Sequence, residues 1–118
     1  FTHPEISSVG LSEADAKELA GEEGFELGTV RSDFKANSKA LAALESDGGM
    51  KLLSNKTSGG VLGAHLCGLH AADLIKEIAN AVSRRQSVTQ LANEVHTHPT
   101  LSEVVEVAYK QAASAVGA

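Results

Sequence analysis

The chain has 118 residues, 42% of them hydrophobic and 21% charged, which is the composition of one ordinary globular domain with one sizeable core. Its 10 basic and 15 acidic residues leave a net charge of -5, which argues against a nucleic-acid footprint or a polybasic membrane patch. No apolar run approaches the roughly 18 residues a membrane-crossing helix requires, and the single cysteine, Cys67, excludes an internal disulfide framework and a CxxC redox pair.

Ile6 to Val9 predicts a short strand closed by Gly10. Ser12-Glu-Ala-Asp15 is a helix-start signal, with a serine oxygen to cap free amides and acids at the positive helix end. Leu11, Ala14, Leu19 and Ala20 give that helix a thin apolar face, and Gly21 and Gly24 stop it. Phe25 to Phe34 reads as a strand, and Ala36 to Leu44 as a helical turn or a loop. Met50 to Leu53, the turn residues Asn55 to Gly60, and Val61 to Cys67 predict an antiparallel hairpin, in which Gly63 and Gly68 signal close backbone contact or a bulge.

The second half is helical. Ala71 to Arg84 carries the stripe Leu74, Ile75, Ile78, Ala79 and Val82, with Arg84 and Arg85 at the negative helix end. A shorter helix spans Thr89 to His96, with Leu91, Ala92 and Val95 as its face. A last one runs from about Leu101 to Ala115, with Leu101, Val104, Val105, Ala108 and Ala112 inward. Strands first and helices later predict an α+β domain, an antiparallel β-sheet packed against helices, over residues 1–118. The start at Phe1 instead of Met, with aromatics at only 3%, predicts a processed N-terminus or a piece of a longer polypeptide.

Reactive residue types are densest in Val95-His-Thr-His-Pro-Thr-Leu-Ser-Glu103. Thr100-Leu-Ser-Glu103 matches a capping box, with Thr100 as N-cap and Glu103 at the third helical position. In the purely structural reading Glu103 satisfies backbone amides, Pro99 stiffens the entry and the histidines are loop residues. In the chemical reading Pro99 restricts His98 to extended backbone angles and the Glu103 carboxylate reaches back to one ring nitrogen. That would fix the tautomer and favour the protonated ring, leaving the other nitrogen to exchange a proton with substrate.

Such a pair needs a thiol, hydroxyl or water to act on. Cys67 is the one thiol, and its apolar strand predicts a buried structural role. No glycine-rich phosphate loop follows a strand, so no nucleotide-cofactor site is predicted within the chain. His96, His98, His65 and His70 lack the acidic or cysteine partners of a recognisable metal set, and His3 reads as a loop residue, so no metal site is predicted.

Four stretches together resemble a known family. Phe1-Thr-His-Pro-Glu-Ile-Ser-Ser-Val-Gly10-Leu-Ser-Glu13, Phe34-Lys-Ala-Asn-Ser-Lys-Ala40, Leu62-Gly-Ala-His-Leu-Cys-Gly-Leu-His-Ala-Ala-Asp-Leu-Ile75 and His96-Thr-His-Pro-Thr-Leu-Ser-Glu103 are similar to, and in the order of, the C-terminal dimerisation domain of the pyridine nucleotide–disulfide oxidoreductases. His-Pro-Thr-Leu-Ser-Glu is most like the dihydrolipoamide dehydrogenase branch, and the glycine- and histidine-rich strand before the first long helix is similar to cyanobacterial and plastid-type forms.

The resemblance implies that His98 is the acid/base for the dihydrolipoamide thiol and that Glu103 orients it. It implies that Pro99, with Thr100, fixes the turn, which a two-fold homodimer presents to the partner's flavin and redox-active disulfide. It further implies FAD and NAD domains elsewhere in a parent chain and lipoyl domains of 2-oxo acid dehydrogenase complexes as partners. A cytoplasmic or plastid-stroma location is implied as well, and no turnover by residues 1–118 alone. The same domain of another disulfide reductase, such as glutathione reductase, or a dimerisation module without catalytic residues are the alternatives. Apolar surface on Val104, Val105 and Ala108 is expected to face a partner chain.

Overall fold

The computed structural model describes residues 5–33, 48–68, 71–84, 86–93 and 103–116. They form β1 (Glu5–Gly10), α1 (Glu13–Glu23), β2 (Leu27–Asp33), β3 (Gly49–Asn55), β4 (Val61–Gly68), α2 (Ala71–Ser83), α3 (Val88–Ala92) and α4 (Glu103–Ala115). The strands make one antiparallel sheet in the order β1-β4-β3-β2, so the architecture is the α+β sheet-and-helix domain the sequence predicts.

Period-two side-chain alternation gives the sheet two unlike faces. Met50 and Leu52 on β3 and Ala64 and Leu66 on β4 point to the main core, where α2, α3 and α4 cover them. From the helices come Ile78 and Ala81, Val88 and Leu91, and Val104, Val105, Ala108, Tyr109 and Ala112, all buried. The α2 stripe holds, with Leu74, Ile75 and Val82 packed on the core, although Ala71 and Ala81 are its fully buried alanines and Ala79 lies at its margin.

The expectation of an intermolecular role for Val104, Val105 and Ala108 is corrected. Each is closed off within this chain, Val104 at 2% exposure and the other two at 0%. Their side chains recur at helical spacing on the stripe that the sheet requires, so the chain's own core consumes them. The exposed branched residue of α4 is Val107, at 43%.

α1 lies on the opposite face and covers half of it. Ser12 caps the helix by accepting from the Asp15 amide at 3.1 Å, as its position predicts. Gly24 ends it in the left-handed region at φ 77°, donating to the Ala20 carbonyl. Gly21 stays within the helix, and the buried contacts are Ala16 and Ala20, with Ala14 exposed. An approach this close needs small residues below as well. A Cβ on Gly63 would run into the Leu11 carbonyl and amide, which explains the glycine there.

The hairpin turn is built by Asn55, whose Oδ1 accepts from the Thr57 and Ser58 amides at 2.8 and 3.1 Å. One register irregularity follows at Leu53/Ser54. β2 starts at Leu27, two residues later than the Phe25 to Phe34 prediction, where its pairing with β3 begins, and Phe34 lies outside the described residues. The predictions for Ala36 to Leu44, Arg85, Val95 and Leu101 lie outside the described residues.

Candidate functional site

α4 delivers one of the two predicted acid/base residues. Glu103 is the first described residue of the helix and is half-buried, with Glu106 one turn of chain further on, near the end where acids are favoured. Val104 and Val105, next in the chain, are inserted in the core, so the first turn cannot rotate without exposing them. On the other side of residues 94–102, α3 is fixed by buried Val88 and Leu91. The stretch that carries the histidines is therefore bracketed by two docked helices. His98, Pro99 and Thr100 themselves lie outside the described residues, as do His3, His70 and His96.

α3 starts earlier than the sequence reading placed it. Ser87 is its N-cap, accepting from the Gln90 amide at 3.3 Å, while the Gln90 side chain accepts from the Ser87 amide at 2.9 Å. This reciprocal capping box is visible as Ser-x-x-Gln in the sequence and is the signal that locates the helix start.

The uncovered half of the second sheet face forms an open groove of about 700 Å³. Two cross-strand rows floor it. Ile6, Cys67, Gly49 and Asp33 make one, and His65, Lys51 and Arg31 the other. Ile6 is 70% exposed, and Cys67, expected to be buried, is instead half-buried on this face. The reason is register: Cys67 lies one residue from Leu66, and successive side chains in a strand point to opposite faces.

His65 is occupied at both ring nitrogens. Nε2 lies 3.0 Å from the Leu11 carbonyl oxygen and Nδ1 lies 3.0 Å from Ser8 Oγ. A carbonyl can only accept, so Nε2 carries a proton, while Nδ1 shares the second hydrogen bond with the Ser8 hydroxyl. This ties β4 to the β1–α1 connection and leaves the ring no spare nitrogen for proton transfer to Cys67. Among the described residues no group of three or more His, Cys, Asp or Glu side chains is placed to hold a metal ion.

Lys51 in the groove donates to Glu13 Oε1 at 2.7 Å. That hydrogen bond, with the charges of Lys51, Lys17 and Arg31, holds the Glu13 carboxyl below its ordinary value of 4.5, against a smaller opposing effect of burial. A lowered folded-state value means that the stabilisation is present above the unfolded value and is lost as pH falls through the folded one. Thermal melts of wild type and Glu13→Gln should therefore differ in Tm at neutral pH, wild type higher, with the gap closing on acidification below about pH 4. A gap that persists to about pH 2 would contradict this assignment.

The described residues do not fit a flavin or dinucleotide. The sheet is antiparallel throughout, without the parallel βαβ unit that cradles a pyrophosphate, and the helix after β1 opens with Glu13 and Asp15, which would repel phosphate.

Among the described residues, a four-stranded antiparallel sheet with α2, α3 and α4 on one face defines an α+β sheet-and-helix domain. The chain belongs to the pyridine nucleotide-disulphide oxidoreductase dimerisation-domain family, whose profile matches residues 1–109. It is 57% identical to a dihydrolipoyl dehydrogenase of Synechocystis sp. over 95% of its own length and 24% of that protein's. It is 49% identical to chloroplastic dihydrolipoyl dehydrogenase 2 of Arabidopsis thaliana, again over 95% of this chain and 20% of the relative. Among solved structures, LpdA of Mycobacterium tuberculosis superposes with a TM-score of 0.81 at 27% identity, over 94% of this chain and 23% of that one. The chain thus spans about a quarter or less of the length of the relatives it matches. No helix among the described residues is long and apolar enough to cross a membrane.

Proposed function

We propose that residues 1–118 are the C-terminal dimerisation domain of a dihydrolipoyl dehydrogenase and that His98 and Glu103 are its acid/base pair. The observation that carries the reading is the identity of 57% with a cyanobacterial dihydrolipoyl dehydrogenase over nearly the whole chain. The docked start of α4 at Glu103 supports it. The parent enzyme is a homodimer that uses FAD and NAD, both held by domains outside this chain, and it oxidises dihydrolipoamide borne by lipoyl domains of 2-oxo acid dehydrogenase complexes. Cyanobacterial and chloroplastic relatives support a location in a cyanobacterial cytoplasm or a plastid stroma. The isolated domain has no turnover.

Within this reading the work of the chain is proton transfer. A thiol is a poor nucleophile and its thiolate a good one, so removing the proton enables attack on the disulfide. His98 takes that proton at one ring nitrogen, and Glu103 holds the other N–H and stabilises the imidazolium that results. Pro99, with Thr100, is the supporting part of the turn in this reading, because a proline restricts the residue before it.

Glu103→Gln in the full-length enzyme tests the pair. Without its carboxylate the imidazolium is less stable and the His98 pKa falls, so the acid limb of the kcat/KM profile should move to lower pH. Turnover should drop about tenfold, less than the full acid/base contribution of about 10²- to 10⁴-fold. An unmoved acid limb with unchanged turnover would contradict the assignment.

A further inference from the structure

We propose that α1 is a latched flap, a unit that lifts from the sheet while the rest of the domain stays folded, and that the Lys51–Glu13 bond is its latch. Alternation along β3 sends Met50 and Leu52 to the main core and Lys51 and Leu53 to the face that α1 half covers. α1 packs there on β2, β3 and β4. Leu53 is fully buried, and Ala16 and Ala20 of α1 are buried as well, yet none of the three belongs to the main core. Among the described residues Leu53 is the one large, fully buried side chain outside that core. The helix thus has a small apolar seat of its own.

Little else holds the helix. With 11 residues it is too short to be stable by itself in water, so it depends on docking. Two alanine methyl groups and one leucine remove far less apolar surface from water than the Ile, Val, Leu and Tyr side chains with which α2, α3 and α4 fill the main core. Among the described residues one side-chain bond joins the helix to the sheet, that of Lys51 Nζ to Glu13 Oε1 at 2.7 Å. The chain is otherwise fastened on either side of the helix. Leu11 donates from its amide to the Leu62 carbonyl and accepts from His65 Nε2, both at 3.0 Å, and the Lys56 amide donates to the Glu26 carbonyl at 2.9 Å. Breaking the Lys51–Glu13 bond and the alanine contacts therefore frees residues 12–25 as one block, between two ends that stay tied to the β3–β4 hairpin. Lifting uncovers Leu53 and extends the groove along the same face of β3.

The test is amide hydrogen exchange of the full-length protein, read by mass spectrometry on overlapping peptides from α1 and α4. Where exchange reports the opening equilibrium, α1 amides should exchange about 100-fold faster than those of α4, with one common protection along the helix. Lys51→Gln should speed α1 exchange about three- to fivefold further, the effect of losing one half-exposed ion pair. Ile78→Val, which weakens the main core by one methyl group, should leave α1 exchange unchanged, because that core is intact whether the flap is closed or open. The two substitutions are mild enough for both variants to fold. Four results would each overturn the proposal: α1 amides as slow as those of α4, protection graded inward from the helix ends, an α1 rate unmoved by Lys51→Gln, or an α1 rate raised by Ile78→Val.

Discussion

Replacing His98 with Gln in the full-length enzyme is expected to lower dihydrolipoamide turnover by about 10²- to 10⁴-fold while the dimer stays intact. Gln preserves much of the polar volume of the ring but cannot take up a proton near neutral pH, so the substitution removes the chemistry and little else. Steady-state kinetics beside sedimentation of the same sample separates the two roles. Loss of activity with a wild-type sedimentation profile supports proton transfer. Loss of both would assign the turn to assembly, and retained turnover would leave His98 without a catalytic part. The size of the effect follows from the reactant: near neutral pH a thiol of ordinary pKa, about 8.5, is mostly protonated, and attack on a disulfide requires the thiolate.

Tyr109→Ala should have the largest effect on stability, a loss of about 3–5 kcal/mol in urea unfolding of the isolated domain. Tyr109 is the largest fully buried side chain among the described residues, and it sits on α4 among Val104, Val105 and Ala108 against the sheet. Its removal leaves a cavity that alanine cannot fill and that the rigid sheet floor of Leu52 and Leu66 cannot collapse into. Against a total stability of about 5–15 kcal/mol for a domain, that loss takes from about a fifth to all of the folding free energy. Val107→Ala, two residues earlier but on the open side of the same helix, should stay within about 0.5 kcal/mol. Equal losses at the two positions would contradict the orientation of α4.

The residues that make this fold legible are those whose pattern depends on local geometry. Alternation around Asn55 to Gly60 locates the hairpin, Ser12 locates the start of α1, and the apolar spacing from Ala71 and from Val104 locates the long helices. Where pattern alone misleads, a tertiary fact decides. Val104, Val105 and Ala108 look thin enough to be spare surface until the sheet beneath them is seen to need them. Cys67 reads as core because its strand is apolar on average, yet a one-residue offset from Leu66 turns it to the groove. Gly63 signals close backbone contact in advance, but that the contact is the Leu11 backbone depends on a connection fifty residues away in the chain.

The proposed chemistry rests on a different kind of reading. Spacing alone leaves Glu103 divided between a capping role and an orienting role, because a carboxylate in the first helical turn can serve either. The family relationship is what brings in the orienting role, which stands as the proposal made above. The groove shows the converse. Cys67, His65, Lys51 and Glu13 gather reactive side chains in one place, yet His65 is bonded at both nitrogens and Lys51 is paired with Glu13, so the cluster holds α1 to the sheet.

Mixed dimers test most directly the central claim that this domain supplies an acid/base group to the active site of its partner. One subunit carries His98→Gln with an intact redox disulfide, and the other carries an intact His98 with one cysteine of that disulfide replaced. Each homodimer is expected to keep at most about 1% of wild-type turnover. If the histidine acts across the two-fold axis, the mixed dimer contains one complete site and recovers about half of wild-type turnover per dimer. Purified mixed dimers as inactive as either parent would contradict the account.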